Sequence, residues 1–297
     1  MSDPTPPPAL PTPTPAPALP TPTLADRPFG VGAAIGFGWR RTWRNFWRLL
    51  LVSIVFFAIT FGVQLLTGLA GLIAGGAGGL GAEALGASPD AAELGFAAGN
   101  AGTQFIGAVV SLLVSLFLQL GLVRIALGVA TGSPVELRRL FHFSGFGRFV
   151  GTSIVVVIAI AAALLITVGP GVWLTVATDQ VAWAVIGGVV GAIIAIVLST
   201  MFTFYAYAIL DRDARGVSSL GVSWAIVRPR FWAVIGLQIL IVLIVIGLLI
   251  GAIILGVLML FVGLLITLPA VGVLIFGLVP LAWVYAYRTL AGEPVAV

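Results

Sequence analysis

The side chains that most often carry out catalysis are scarce in this sequence. Its 297 residues include one histidine, His142, and no cysteine. A tightly bound metal needs several His, Cys or carboxylate ligands close together, and a nucleophile needs a base beside it. No Gly-x-Ser-x-Gly segment places a serine on a nucleophile elbow. The sequence therefore predicts no catalytic residue, no metal site and no cofactor.

Two further patterns were weighed as sites. Asp211 and Asp213 are a close carboxylate pair, but Arg212 and Arg215 flank them, so we interpret the four residues as paired with one another in a solvated loop. Residues 76–81 match the Gly-x-Gly-x-x-Gly pattern of dinucleotide sites. That site requires a strand before the glycines and a helix after them, and no strand is predicted here.

Small residues also recur at four-residue spacing, which lets helix backbones approach closely. For Gly71, Gly75 and Gly79 the alternative is a flexible external loop, and the sequence leaves both interpretations open. Within the apolar segments we expect packing faces at two sets of small residues: Gly187 with Gly191, and Gly107 with Ser111 and Ser115.

The composition indicates a membrane protein. Hydrophobic residues make up 60% of the chain and charged residues 8%, against about 25% charged residues in soluble domains. So few charges cannot cover a surface that faces water, and the predicted solvent is lipid. The net charge of +4 comes from fourteen arginines that lie beside apolar segments. We interpret them as topology charges and not as a nucleic-acid surface.

We predict an all-α integral membrane fold with six transmembrane helices. Each apolar segment reaches the roughly 20 residues that cross a bilayer, and none shows the two-residue alternation of a membrane barrel. Residues 1–28 hold eleven of the eighteen prolines and no apolar signal-peptide core. They are predicted to be a disordered Pro/Thr/Ala-rich tail that could bind a protein partner, and residues 29–297 form the membrane domain. The predicted spans are 47–69, 104–128, 149–169, 182–209, 232–258 and 265–287.

The arginines also predict the orientation. They lie before span one, between spans two and three, between spans four and five, and after span six, whereas the loops 70–103, 170–181 and 259–264 have none. Arginine is enriched in cytoplasmic loops. The sequence therefore predicts a multi-pass protein of the cytoplasmic membrane with both termini in the cytoplasm.

Three parts of the chain resemble one another. The segment from Trp39 to Trp47 aligns without gaps to the segment from Trp224 to Trp232, and His142…Arg148-Phe149-Val150 is a weaker third copy. Residues 132–135 also resemble residues 292–295. We interpret three units, each an interfacial helix followed by a helical hairpin; the alternative is convergence at cytoplasmic membrane boundaries. In the second unit, the capping box Ser133–Glu136 predicts the start of a helix, and in the third Ser218 or Ser219 could cap one.

The first interfacial segment places aromatic rings and arginines on opposite arcs, which is typical of helices lying in the headgroup region. The second and third segments also have an apolar face that is predicted to contact the membrane. We predict contacts with membrane lipids, and in particular with anionic headgroups, at twelve residues: Trp39, Arg40, Trp43, Arg44, Trp47, Arg48, Arg138, Arg139, Arg148, Trp224, Arg228 and Arg230.

Polar residues inside the spans either join helices or line a cavity for a solute. Arg124 is predicted to anchor near the cytoplasmic boundary, with a cavity charge as the alternative. The residues that could line a cavity are Gln119, Arg124, Thr203, Tyr205 and Gln238.

The chain resembles a broad family of prokaryotic six-span integral membrane proteins. This family includes the glycerophosphoryl diester phosphodiesterase membrane domain and the related DUF975 and YciC-like groups. The resemblance covers about residues 30–293, and these segments carry it: Gly38-Trp39…Asn45-Phe46-Trp47, Leu127-Gly128…Gly132-Ser133-Pro134 with Leu140-Phe141, Ala208-Ile209-Leu210-Asp211…Gly216-Val217…Ser223-Trp224, and Pro269…Ala286-Tyr287-Arg288…Leu290-Ala291-Gly292. It implies the six-span fold but no activity, because catalysis in the phosphodiesterase members belongs to a separate soluble barrel. We therefore expect a non-catalytic membrane module that acts through lipids or partners. The alternative is a permease for an uncharged or lipid-like solute.

Overall fold

The computed structural model describes residues 29–259 and 262–295, so the predicted tail at residues 1–28 lies outside the described residues. The described part is built from helices. The α-helices are α1 (Val31–Arg44), α2 (Phe46–Ala84), α3 (Pro89–Ala130), α4 (Phe146–Thr178), α5 (Ala182–Met201), α6 (Tyr205–Asp211), α7 (Ser218–Val227), α8 (Phe231–Leu258) and α9 (Val262–Ala291), and 3-10 helices cover Leu137–Phe141 and Arg228–Arg230.

Six helical stretches are long and apolar enough to cross a membrane, which confirms the predicted number of spans. They form three hairpins, α2–α3, α4–α5 and α8–α9, whose two helices pack against each other. A short helical segment precedes each hairpin: α1, the 3-10 helix Leu137–Phe141, and α7. The chain thus repeats the same order of elements three times, as predicted.

A shared chain reversal ends the first and third units. Gly132 and Gly292 adopt left-handed backbone conformations (φ +85° and +74°), which favour glycine. The amide of the following residue then donates to the carbonyl five residues back, at 2.8 Å in both units. This hydrogen bond closes a helix C-terminus. The predicted capping box at Ser133 is therefore wrong, because the Ser133 amide closes the C-terminus of α3. The next helical segment begins only at Leu137, with Glu136 as its N-cap.

The third surface helix also begins without the predicted side-chain cap. Ser218 and Ser219 donate their hydroxyl hydrogens to the carbonyls of Arg215 and Gly216, at 2.6 and 2.7 Å. They do not accept from the first amides of α7. The hydroxyls therefore stabilise the turn before the helix and leave its N-terminus uncapped.

The buried core lies toward one end of the bundle, which we call the arginine end. This end comprises α1, α6, α7, the segments 131–145, 202–204, 212–217, 228–230 and 292–295, and the turns of the six spans that adjoin them. All three units contribute large, fully buried side chains to it: Leu49, Leu140, Phe149, Phe204, Leu237 and Tyr287. The central helix is α9, whose most apolar part is 56% buried, against 17–33% in the other five spans. Away from this end, the hairpins expose Leu, Ile, Val and Phe side chains, as helices in contact with lipid do.

The α2–α3 hairpin is much longer than predicted. The segment 70–103, expected to be a loop, is helical except for residues 85–88, so the flexible-loop interpretation of Gly71, Gly75 and Gly79 is wrong. With 39 residues, α2 is about 58 Å long, against a hydrocarbon thickness of about 30 Å. A Cβ on Gly95 would lie 2.6 Å from the Gly78 carbonyl oxygen, so small residues hold the two backbones together.

The two helices of the α4–α5 hairpin also approach each other closely at small residues. Helix α4 continues to Thr178, well into the predicted loop 170–181. A Cβ on Gly187 would lie 2.8 Å from the Thr167 carbonyl oxygen, and one on Gly191 would lie 2.9 Å from the Thr167 hydroxyl, which confirms this predicted packing face. The second predicted packing face, at Gly107, Ser111 and Ser115, is correct only in part. Gly107 is buried against Thr67, whereas Ser115 is exposed.

Candidate functional site at the arginine end

Helix α1 has three faces, one more than the sequence suggested. Ala34, Phe37, Gly38 and Thr42 are buried, and this face packs against the C-terminal half of α9. A Cβ on Gly38 would lie 2.8 Å from the Leu278 carbonyl oxygen, so the two backbones are in contact. The aromatic and arginine arcs of α1 occupy the remaining, exposed surface. Packing against α9 therefore fixes where these arcs point.

The exposed aromatic arc is a continuous ladder of rings. The ring centroids of Trp39 and Trp43 lie 5.7 Å apart in an edge-to-face contact. Trp43 stacks on Phe46 with 5.4 Å between the ring centroids, and Phe46 meets Trp47 edge to face with 5.5 Å between them. Trp43 is 52% exposed and Trp47 is 78% exposed. Such rings are favoured at the level of lipid headgroups. Their mutual contacts keep them in place on the surface.

The predicted lipid-contact arginines fall into two classes. Two of them have a carboxylate partner within the chain: Arg139 pairs with Glu136 at 3.4 Å, and Arg148 pairs with Asp213 at 2.7 Å. The others are exposed and take part in none of the ion pairs formed among residues 29–259 and 262–295: Arg40, Arg44, Arg48, Arg138, Arg228 and Arg230. Trp224 is also exposed.

The sequence predicts that Asp211, Arg212, Asp213 and Arg215 pair with one another, but Asp213 and Arg212 form ion pairs with residues of other segments. Asp213 reaches Arg148 at the start of α4, and Arg212 reaches Glu293 beyond the end of α9, at 3.1 Å. Arg288 contacts the other oxygen of Glu293 at 3.3 Å. We call Glu293, Arg212 and Arg288 the C-terminal clasp, because they tie the segment after α9 to the end of α6.

The Glu293 carboxylate is held in its charged form. Burial raises its pKa, but hydrogen bonds with Asp211, Arg212 and Arg288 lower it more, so the pKa of Glu293 lies below its ordinary value of 4.5. Gly292 positions this residue, since its left-handed backbone turns the chain back over the last turn of α9. The sequence shows this glycine as part of a repeat, but it does not predict that Glu293 pairs with Arg212 and Arg288.

Four of the five residues predicted for a cavity make local contacts or contacts between segments, or lie on the surface. Arg124 donates to the carbonyls of His142 and Ser144, and so fastens α3 to the segment after Phe141. The Tyr205 hydroxyl lies 2.9 Å from the Ser153 hydroxyl, and the Thr203 hydroxyl donates to the Ser199 carbonyl at 2.9 Å. Gln119 is exposed on α3.

Gln238 is the exception, because it lines a groove on the bundle. Its amide oxygen lies 3.2 Å from the Thr200 hydroxyl. The groove has a volume of about 280 Å³, and its other lining residues are aliphatic: Ile196, Ile235, Ile239, Val242 and Leu243. A groove of this kind could accept an apolar chain and offer it one amide.

Sequence reasoning also missed Ser223. Helix α5 ends at Met201 and α6 begins at Tyr205, which leaves backbone groups without helical partners. The Ser223 hydroxyl donates to the Met201 carbonyl at 2.7 Å and accepts from the Phe204 amide at 3.1 Å. A break in an apolar helix must be satisfied in this way, but one serine in α7 does not signal it in the sequence.

Within the described ranges, no three His, Asp or Glu residues lie close enough together to hold a metal ion. No protein-family model matches the chain, and no curated protein or solved structure matches it at a significant level. The resemblance to the six-span phosphodiesterase-associated family therefore stays a prediction. The residues that the structure describes form a helical protein with six helices long and apolar enough to span a membrane.

Proposed function

We propose that this chain is a non-catalytic module of the cytoplasmic membrane that acts through contacts with lipids at its arginine end. One observation carries the proposal: this end presents exposed arginines beside a ladder of exposed indole rings. Two polar contacts inside the bundle, by contrast, join helical segments: Tyr205 contacts Ser153, and Gln238 contacts Thr200.

The orientation belongs to the same proposal, and single cysteines test it. Cysteines replacing Ser88 and Asp179 are expected to react with an impermeant thiol reagent applied outside intact cells. A cysteine replacing Ser2, which lies outside the described residues, is expected to react only after lysis. Labelling of Ser2→Cys in intact cells would show that the N-terminus lies outside. It would contradict the predicted topology and the assignment of the arginine end to the inner leaflet.

The absence of phosphodiesterase activity is tested on the purified full-length protein in liposomes. Glycerophosphodiesters supplied with Mg²⁺, Ca²⁺ or Mn²⁺ are expected to release no glycerol phosphate above background. Metal-dependent turnover that is abolished by Asp211→Ala or His142→Ala would refute the proposal, because it would show a site built across the units.

The groove beside Gln238 supports a second candidate, a permease for an uncharged or lipid-like solute. Its lining is aliphatic except for one amide, and such a surface discriminates against charged solutes. A fluorescent phospholipid assay in the same liposomes tests it. Movement of the lipid between leaflets that is reduced by Gln238→Leu would favour the permease over the non-catalytic module.

A further inference from the structure

The corner where α1 meets α2 borders an open surface pocket of about 560 Å³ that is lined by six consecutive residues, Trp43 to Arg48. The corner exists because the helix breaks at Asn45. The side-chain amide of Asn45 donates to the Arg41 carbonyl at 3.0 Å, and its backbone amide donates to the Arg41 and Thr42 carbonyls. The last turn of α1 and the first turn of α2 therefore surround the same space.

The two cations at this corner, Arg44 and Arg48, have no carboxylate partner among the residues that the structure describes. Arg44 and Arg48 are exposed, and neither takes part in an ion pair within residues 29–259 and 262–295. The sequence contains no aspartate or glutamate between Arg27 and Glu83. Two guanidinium groups beside one pocket, without a carboxylate, complement an external anion. Guanidinium suits phosphate in particular, because its donors match two phosphate oxygens at once.

The rings that share the pocket indicate the source of the phosphate. Trp43, Phe46 and Trp47 contact one another through their ring faces and edges, and both indoles are largely exposed. A soluble anion needs no such apolar surface. A phospholipid does, since its glycerol and first acyl carbons lie directly below the phosphate, at the depth that indole rings favour.

We propose that the Trp43–Arg48 corner binds the phosphate of an anionic phospholipid. Arg44 and Arg48 donate to the phosphate oxygens, while Trp43 and Trp47 pack against the glycerol and the upper acyl carbons. This assignment rests on the proposed function, because it names the lipid class and the residues through which the arginine end makes its contact.

The test is a titration of the full-length protein in detergent with phosphatidylglycerol and, separately, with phosphatidylcholine, the lipid-bound states being counted by native mass spectrometry. We expect tighter binding of phosphatidylglycerol. The double variant Arg44→Gln/Arg48→Gln is expected to lower that affinity about 25-fold, from about fivefold for each arginine near an anionic lipid. Its affinity for phosphatidylcholine should not change.

The matched control is Arg139→Gln/Arg148→Gln, which removes two charges from the same end of the bundle. Because these arginines are already paired with Glu136 and Asp213, phosphatidylglycerol affinity should stay within about twofold. Equal losses in both double variants would mean that net charge, and not this corner, governs binding, and would overturn the proposal. Unchanged affinity in the Arg44/Arg48 variant would also overturn it.

Two further measurements separate the effect of charge from unfolding and the binding of a lipid from the binding of free phosphate. Arg44→Lys/Arg48→Lys retains the charges but loses the two-oxygen match of guanidinium to phosphate, so it is expected to lower the affinity less than the glutamine variant does. A loss of about 25-fold or more in the lysine variant would contradict the charge argument even if the glutamine variant unfolds. Excess inorganic phosphate should not displace the lipid, and displacement would overturn the assignment to a lipid. Hydrolysis or lipid movement in the liposome assays would refute the proposed function without changing this titration, so the two failures are distinguishable.

Discussion

The α1–α2 corner and the C-terminal clasp both concentrate arginines at the same end of the bundle, but they use them differently. In the clasp, Arg212 and Arg288 share the two oxygens of one partly buried carboxylate, Glu293. At the corner, Arg44 and Arg48 face outward beside exposed rings. Both sets obey the same topological rule in the sequence. Only the clasp uses its charges to hold parts of the chain together.

The comparison shows that the arginines at one end of the bundle are of two kinds, which differ in whether a carboxylate of the same chain pairs with them. Arginines with an internal carboxylate stabilise the fold and have little charge left for a ligand. Arginines without one add little to folding stability, because an exposed charge is well solvated in either state, and they are available to an external anion. Substitutions at the two places should therefore separate stability from lipid binding.

The largest effect is expected where α1 is attached to α9. Gly38→Leu places a side chain against the Leu278 carbonyl, and overpacking of this kind costs about 3 kcal/mol in the free energy of unfolding. The measurement is unfolding of the detergent-solubilised protein with added SDS. Gly32→Leu is the matched control, since a Cβ on Gly32 has nothing within 4 Å. Equal stability of the two variants would contradict the backbone contact between α1 and α9.

Breaking the clasp should have the next largest effect. Glu293→Ala leaves Arg212 and Arg288 without their shared acceptor, in surroundings where the side chains of Arg288 and Glu293 are only 11% and 24% exposed. We expect a loss of about 2 kcal/mol in the free energy of unfolding, as for a partly buried charged hydrogen bond. Glu93→Ala, at the exposed end of the α2–α3 hairpin, is the control and should be neutral.

The clasp should also make stability depend on pH. The folded-state pKa of Glu293 lies below 4.5, so folding favours its ionised form. Its contribution is therefore complete above about pH 4.5 and is lost as the pH falls through the lower, folded-state pKa. The measurement compares the melting temperatures of the wild type and Glu293→Gln from pH 7 downward. Burial and the neighbouring Glu293 raise the pKa of Asp211 to about 6, so the difference should first widen as Asp211 takes up its proton and then shrink below about pH 4.5. A difference that does not shrink in that acid range would contradict a charged clasp.

The smallest effect on stability is expected at the corner. Arg44→Gln/Arg48→Gln should change the free energy of unfolding by no more than about 0.5 kcal/mol, as surface substitutions usually do. The same SDS unfolding assay checks this. A loss as large as that of Glu293→Ala would mean that these arginines have a structural role, and it would remove the distinction between corner and clasp.

The sequence predicted the helical class, the number of spans and the threefold order of elements. It could do so because 20-residue apolar segments have few alternatives in lipid. It failed on the segment 70–103, which has few long apolar runs but is helical. There the stabilisation comes from contact between two backbones, as at Gly78 and Gly95, and a spacing of glycines does not reveal whether a partner helix is present.

The same division applies to the candidate site. The sequence by itself determined which residues prefer an interface, because the solvation of arginine and indole is a property of the side chain. It could not determine which arginines are neutralised within the fold. Arg212 and Glu293 lie 81 residues apart, and Arg148 finds Asp213 only because α4 and the end of α6 meet at the arginine end. Such pairing depends on distances that hairpin packing sets, so the tertiary structure alone decided which charges are left for a lipid.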